Sequence, residues 1–178
     1  NLKVLLVEQE NQIGGSILSS NNYDNKISGK SQTEWKNKIL EELNKLNNVK
    51  IITNTTLFAY MHYNYLLAIQ DLQPNKGLDK TNLIRQVLWK IRAKKVILAT
   101  GSIERPLTFP NNDRPGIMLA NSVSKYLNGY GINLGKQIVI FTNNDSAYQT
   151  AIDCHYQNVN VVAVIDVRNN IEGELPLK

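Results

Sequence analysis

Two acids stand where apolar strands would deliver them to a ligand. "LKVLLVEQ" (2–9) is an unbroken apolar run closing on Glu8, and "VNVVAVIDVR" (159–168) closes in the same way on Asp166. A carboxylate at the end of such a strand hydrogen-bonds the ribose hydroxyls of a dinucleotide when a glycine-rich turn about twenty residues upstream lets the pyrophosphate approach the backbone. For Glu8 that turn would lie before residue 1. For Asp166 the turn is "TNNDSAY" (142–148), which has no glycine and would set the Asp145 carboxylate beside the phosphates. This second unit is therefore expected to have the shape of a Rossmann half without a normal pyrophosphate site, and Asp166 is expected to be a solvated or capping acid. A third feature is "VILATGSIERPLTFPNNDRPG" (96–116), an apolar strand that breaks at Gly101 into charge and proline. Gly101 gives the chain a turn without a Cβ at the sheet edge where phosphates would lie.

Other chemistry-bearing residues have plainer readings. His62, among tyrosines in "YMHYNY", is expected to be a satisfied, partly buried strand residue. Cys154 and His155 are adjacent on a predicted helix and point in different directions, which disfavours a catalytic pair. Tyr60, Tyr63 and Tyr65 suit sheet packing or an interface. No serine, histidine and acid arrangement stands out, so catalytic residues stay unassigned. One cysteine excludes an internal disulfide and leaves no zinc cluster, pointing to no metal and to a cytoplasmic location. The net charge of +5 comes from scattered lysines without an RNA-binding aromatic motif, so no nucleic-acid partner is expected. No apolar run approaches the roughly 20 residues that cross a bilayer, so no membrane span is expected.

These residues need an α/β framework. "SQTEWKNKILEELNKL" (31–46) has an apolar stripe of Trp35, Ile39, Leu43 and Leu46, and Ser31 with Glu34 fits a capping box. "NVKIITNT" (48–55) is a strand. "TLFAYMHYNYLLAIQDL" (56–72) has the composition of antiparallel strands, and a solvated loop (73–82) follows. Residues 85–100 read as a strand, a turn at Arg92 to Lys95, and a final strand to Thr100. Helices at 116–128 and 144–157 then alternate with strands at 136–142 and 159–168, the last three elements making a βαβ unit. The expectation is a Rossmann-like parallel sheet with an antiparallel insertion near 56–92. It is divided into a first dinucleotide-binding domain (1–110) and a second, glycine-poor one (111–178). A strand buried on both faces is rarely first in its sheet. The chain is accordingly expected to be a fragment or late start, with an upstream strand, turn and helix missing.

"VEQENQIGGSILS", "VKIITNTTLFAY", "ATGSIERP", "NNDRPGIMLA" and "FTNNDSAY" together resemble the α subunits of heterotetrameric sarcosine oxidase, in the two-dinucleotide-binding-domain flavoprotein group. The resemblance implies an FAD/NAD(P)-binding fold, a bound NAD with FAD as the alternative, and flavin mononucleotide at the interface with a β subunit. It also implies β, γ and δ subunits as partners, with a small amine substrate and tetrahydrofolate in the full complex. By the same resemblance Glu8 matches the ribose-binding acid, with Gln9 beside it. Gly14, Gly15 and Ser16 match the loop over the dinucleotide, Leu57 the strand position facing the adenine, and Thr100 and Gly101 the turn near the pyrophosphate. "MHYN" departs from the family's Asp-His-Asn order, and the chain stops before the folate-binding region. Two other readings remain: a subunit of another FAD-dependent amine or opine dehydrogenase, or a non-catalytic assembly domain.

Overall fold

The apolar runs at 4–7, 49–52, 137–142 and 160–166 become parallel strands here, and the aromatic, β-branched stretch becomes an antiparallel sheet. A computed structural model describes residues 2–20, 26–72 and 84–171. β1 (Val4–Val7) leads to a 3-10 turn (Gly15–Ser19), a minimal hairpin of β2 (Lys26–Ile27) and β3 (Lys30–Ser31), and α1 (Gln32–Asn44). β4 (Val49–Ile52), β5 (Thr55–Met61), β6 (Tyr65–Asp71) and β7 (Gln86–Arg92) follow. α2 (Ala120–Ser124) runs into a π-helical turn (Lys125–Gly129), and β8 (Gln137–Thr142), α3 (Ser146–Tyr156) and β9 (Asn160–Asp166) complete the order. The predicted loop at 73–82 lies outside the described residues.

The chain divides into two compact units, Asn1–Gly15 with Glu34–Thr100, and Ser16–Thr33 with Gly101–Lys178. A single cut at 110 would instead leave 16–33 in the first lobe.

In the first unit β1 pairs parallel with β4, from Val4 opposite Val49 to Val7 opposite Ile52. Trp35, Ile39 and Leu43 are half-buried along α1, whereas Leu46 lies past its end and is exposed. β5, β6 and β7 form the expected antiparallel sheet in that order, with Leu66 and Ala68 buried on its central strand. Its β5–β6 pairing slips at Phe58: Leu57 faces Ala68 and Ala59 faces Leu67, so Phe58 is a bulge. At the hairpin tip Tyr63 and Asn64 hold φ of 60° and 52°, a left-handed conformation secured by Ala93 N–H donating to the Asn64 carbonyl at 3.1 Å.

One expected strand does not form. Residues 96–100 have no ladder partner among the described residues, and Ile97 and Leu98 are 91% and 60% exposed. Hydrophobicity shows that a run favours burial, but a strand exists only when a neighbour supplies its N–H and C=O partners.

In the second unit β8 and β9 pair parallel, with α3 between them in sequence. Leu127, Cys154 and Val159 form the core, flanked by Val123, Ile138 and Val161. The helix expected from 116 begins only at Ala120: Gly116 takes φ of 95°, a value helices exclude, and Leu119 is still extended with ψ of 142°.

Candidate functional site

Glu8 follows β1 directly, and the backbone fixes it there from both sides. Its N–H donates to the Ile52 carbonyl and its carbonyl accepts from Thr55 N–H, each at 2.9 Å. Asn54 N–H donates to the Glu10 carbonyl, so the end of β1 is stitched to the corner between β4 and β5. One Glu8 carboxylate oxygen, Oε1, accepts from Glu10 N–H at 2.9 Å, which orients the half-buried side chain. Its other oxygen has no hydrogen bond among the described residues and keeps its capacity to accept from a vicinal diol. Gln9 is exposed beside it. Leu57 lies on β5 two residues beyond Thr55, half-buried and next to the Phe58 bulge. Glu8 and the Leu57 strand are thus brought to one corner.

The remaining expected cofactor residues lie on two glycine turns. Gly14 and Gly15 take φ of 149° and 52°, and exposed Ser16 is the second residue of the 3-10 turn that Gly15 opens. Gly101, after exposed Thr100, takes φ of 70°, and a Cβ built on it meets nothing within 4 Å. Glycine is needed there for the backbone angle rather than for space. No hydrogen bond among the described residues ties Thr100 to the Glu8 corner.

The second unit has a different arrangement. The Arg168 guanidinium reaches Asp166 through Nη2 at 2.7 Å and Nε at 3.1 Å, and its Nη2 also reaches Asp145 at 2.7 Å. Tyr148 donates its hydroxyl to the same Asp166 carboxylate at 3.2 Å. Asp166 is therefore neither solvated nor a simple cap: its side chain is 2% exposed and ion-paired. The Arg168 hydrogen bonds hold its carboxyl at about 2, against the opposing effect of burial. The Arg168 pKa rises, chiefly through its bonds to Asp166 and then Asp145. The turn before α3 is closed on itself as well, since the Asn144 side-chain oxygen accepts from Ser146 N–H at 3.0 Å. Acids that would meet a ribose and repel a phosphate are already neutralised by their own chain. Arg168 carried no signal in the sequence beyond standing two residues past the strand-end acid.

His62 is corrected: it sits exposed in the hairpin tip rather than half-buried on a strand. Tyr60 and Tyr63 are exposed and Tyr65 is half-buried. Cys154 is fully buried, and burial pushes its thiol up to about 11, while His155 is exposed. Among the described residues no group of three His, Cys, Asp or Glu could hold a metal ion, and no helix is long and apolar enough to cross a membrane.

The parallel β1–β4 and β8–β9 pairs with an antiparallel insertion give an α/β, Rossmann-like fold in two compact units. The same architecture recurs in the crystal structure of L-proline dehydrogenase from P. horikoshii, with a TM-score of 0.70 at 22% identity over 97% of this chain and 32% of that one. By sequence the chain is similar to part of the sarcosine oxidase α subunits. It is 39% identical to sarcosine oxidase subunit alpha from Corynebacterium sp. (strain P-1) over 172 residues, covering 96% of this chain and 18% of that protein. Against sarcosine oxidase subunit alpha from Rhizobium meliloti (strain 1021) it is 37% identical over 166 residues, covering 93% of this chain and 16% of that protein. The chain thus spans less than a fifth of the length of these curated relatives. No protein-family model matches it.

Proposed function

We propose that this chain is the NAD-binding portion of the α subunit of a sarcosine oxidase complex, an oxidoreductase acting on a CH–NH bond. The observation that carries this reading is Glu8, a strand-end carboxylate oriented through one oxygen and open through the other. In this proposal Glu8 binds the ribose diol, with Gln9 beside it, the Leu57 backbone faces the adenine, and the turns at Gly14–Ser16 and Thr100–Gly101 border the pyrophosphate. The first lobe is the dinucleotide domain and the second is its glycine-poor counterpart, whose acids are taken by Arg168. Bound NAD would supply a nicotinamide and an adenosine anchor. None of this chain's residues is assigned to bond-making on the amine.

The whole complex, in this reading, contains β, γ and δ subunits, with flavin mononucleotide at the α/β interface and a cytoplasmic location. That complex would oxidise the N-methyl amine of sarcosine to the imine, and bound flavin would supply the carrier by which the two electrons reach oxygen to give hydrogen peroxide. Hydrolysis of the imine leaves glycine and formaldehyde, or tetrahydrofolate captures the one-carbon unit as the methylene derivative. The test is the dinucleotide released by heat from the purified full chain. NAD supports the assignment; FAD, or no dinucleotide, overturns it.

A further inference from the structure

The β5–β6 hairpin tip of the first unit holds one residue against its own preference. Tyr63 takes φ of 60° and ψ of 33°, and Asn64 follows at φ of 52°, so two consecutive residues are left-handed. Hairpin turns usually give such a pair of positions to Asn-Gly, because a Cβ crowds the backbone there. Asn64 has its reason: its Oδ1 accepts from the Tyr60 hydroxyl at 2.7 Å and its Nδ2 donates to the Lys94 carbonyl at 3.1 Å. Its own carbonyl accepts from Ala93 N–H at 3.1 Å. Tyr63 offsets nothing by packing, since it is 88% exposed. A large ring held into solvent on a strained backbone, at a tip fixed by three hydrogen bonds, points to a use beyond the hairpin.

The charge around the tip has one sign. Arg92 pairs with Tyr65 at the base of the tip, its guanidinium 5.4 Å from the ring centre, and exposed Lys94 and Lys95 follow it, with exposed Lys90 two residues before. No Asp or Glu occurs from 55 to 70 or from 86 to 100, and Asp71 faces Gln86 at the other end of the sheet. A convex, rigid tyrosine among cations fits a concave protein pocket with an acidic rim. Tyrosine is among the side chains that dominate interface energetics, a preformed tip loses little freedom on binding, and cations steer an acidic surface toward it. Single-stranded nucleic acid needs successive aromatic faces along a groove. Here Tyr60 is tied to Asn64 and the Arg92 guanidinium covers Tyr65, so Tyr63 presents a single face.

We infer that the Tyr60–Asn64 tip is a docking knob, with Tyr63 as its anchor, for an acid-rimmed apolar pocket on another subunit. That the pocket belongs to another subunit rests on the sarcosine oxidase reading above.

The experiment compares the full chain with its Tyr63→Asn variant, each co-expressed with the other subunits. Asparagine accepts left-handed backbone more readily than tyrosine, so the Tm of the full chain is expected to stay the same or rise. The dissociation constant between subunits is expected to rise about tenfold, as for loss of an anchoring aromatic. Tyr63→p-benzoylphenylalanine is expected to photo-cross-link to another subunit at a site flanked by Asp or Glu. Lys94→Glu with Lys95→Glu is expected to slow association, by a factor that shrinks as salt rises. An unchanged dissociation constant, or a cross-link confined to this chain, overturns the inference and leaves the oxidase reading intact. A lower Tm for Tyr63→Asn also overturns it, since the ring would then serve the fold. So does binding of a single-stranded oligonucleotide that Tyr63→Asn abolishes, which would give the tip to nucleic acid. A wild-type full chain that assembles with no other subunit defeats the oxidase reading, and the inference falls with it.

Discussion

Arg168 Nη2 lies 2.7 Å from the Asp166 carboxylate that closes β9, and the same nitrogen holds Asp145 at the start of α3. An acid at this strand end has two uses in the fold, to meet a ribose or to meet a cation of its own chain. In the second unit the cation has taken it.

The pH dependence of stability follows from that pair. Asp166 has its carboxyl lowered to about 2 from 3.8, first by the Arg168 hydrogen bonds. A depressed folded pKa contributes stability that is complete above the unfolded value and fades as pH falls from about 4 to 2. Arg168→Met is expected to lower the Tm at pH 7 and to approach the wild-type Tm as pH falls through that window. Melting curves between pH 2 and 7 decide it, and a constant difference would count against the pair.

Nucleotide retention should separate the two strand-end acids. Glu8→Ala is expected to weaken NAD binding by about 1.5–3 kcal/mol, the usual worth of a hydrogen bond to a charged group. Asp166→Asn should leave the affinity unchanged. Isothermal titration checks both, and equal losses in the two variants would remove the distinction between the lobes.

How much of this was legible in the sequence differs by element. The acid-terminated runs gave β1 and β9 because continuous hydrophobicity marks a parallel strand, although the expected burial on both faces is not found: every residue of the two is half-buried or exposed. The tyrosine-rich stretch likewise gave β5 and β6 through its composition. Residues 96–100 read just as clearly as a strand but form none here, because pairing depends on a neighbour that no local pattern names. Glu8 could be singled out by its place at a strand end. Arg168 could not, since a side chain that folds back two residues looks in sequence like any surface arginine.

Gly101 offers a test of backbone strain without steric confusion. Its φ of 70° is left-handed and a Cβ there meets nothing, so Gly101→Ala is expected to cost about 1–2 kcal/mol through conformation alone. Urea denaturation measures this. An unchanged midpoint would mean that the turn relaxes to another conformation.

Cys154 should be inert while the chain is folded. It is 0% exposed with its thiol pushed up to about 11, first by burial and then by Asp153. Iodoacetamide at pH 8 is expected to leave the native protein unmodified and to alkylate it on unfolding in guanidinium, as read by mass spectrometry. Rapid native labelling would show that α3 opens easily.

The bulge at Phe58 makes one position of the hairpin independent of chain length. β5 uses seven residues, Thr55–Met61, to face six positions on β6, and the partners of Ala59, Tyr60 and Met61 are fixed on the far side of the slip. Removing the half-exposed Phe58 would shorten the strand without reassigning any of those pairs. Sequence length can therefore drift by one residue here, beside Leu57, while the hairpin tip keeps its address.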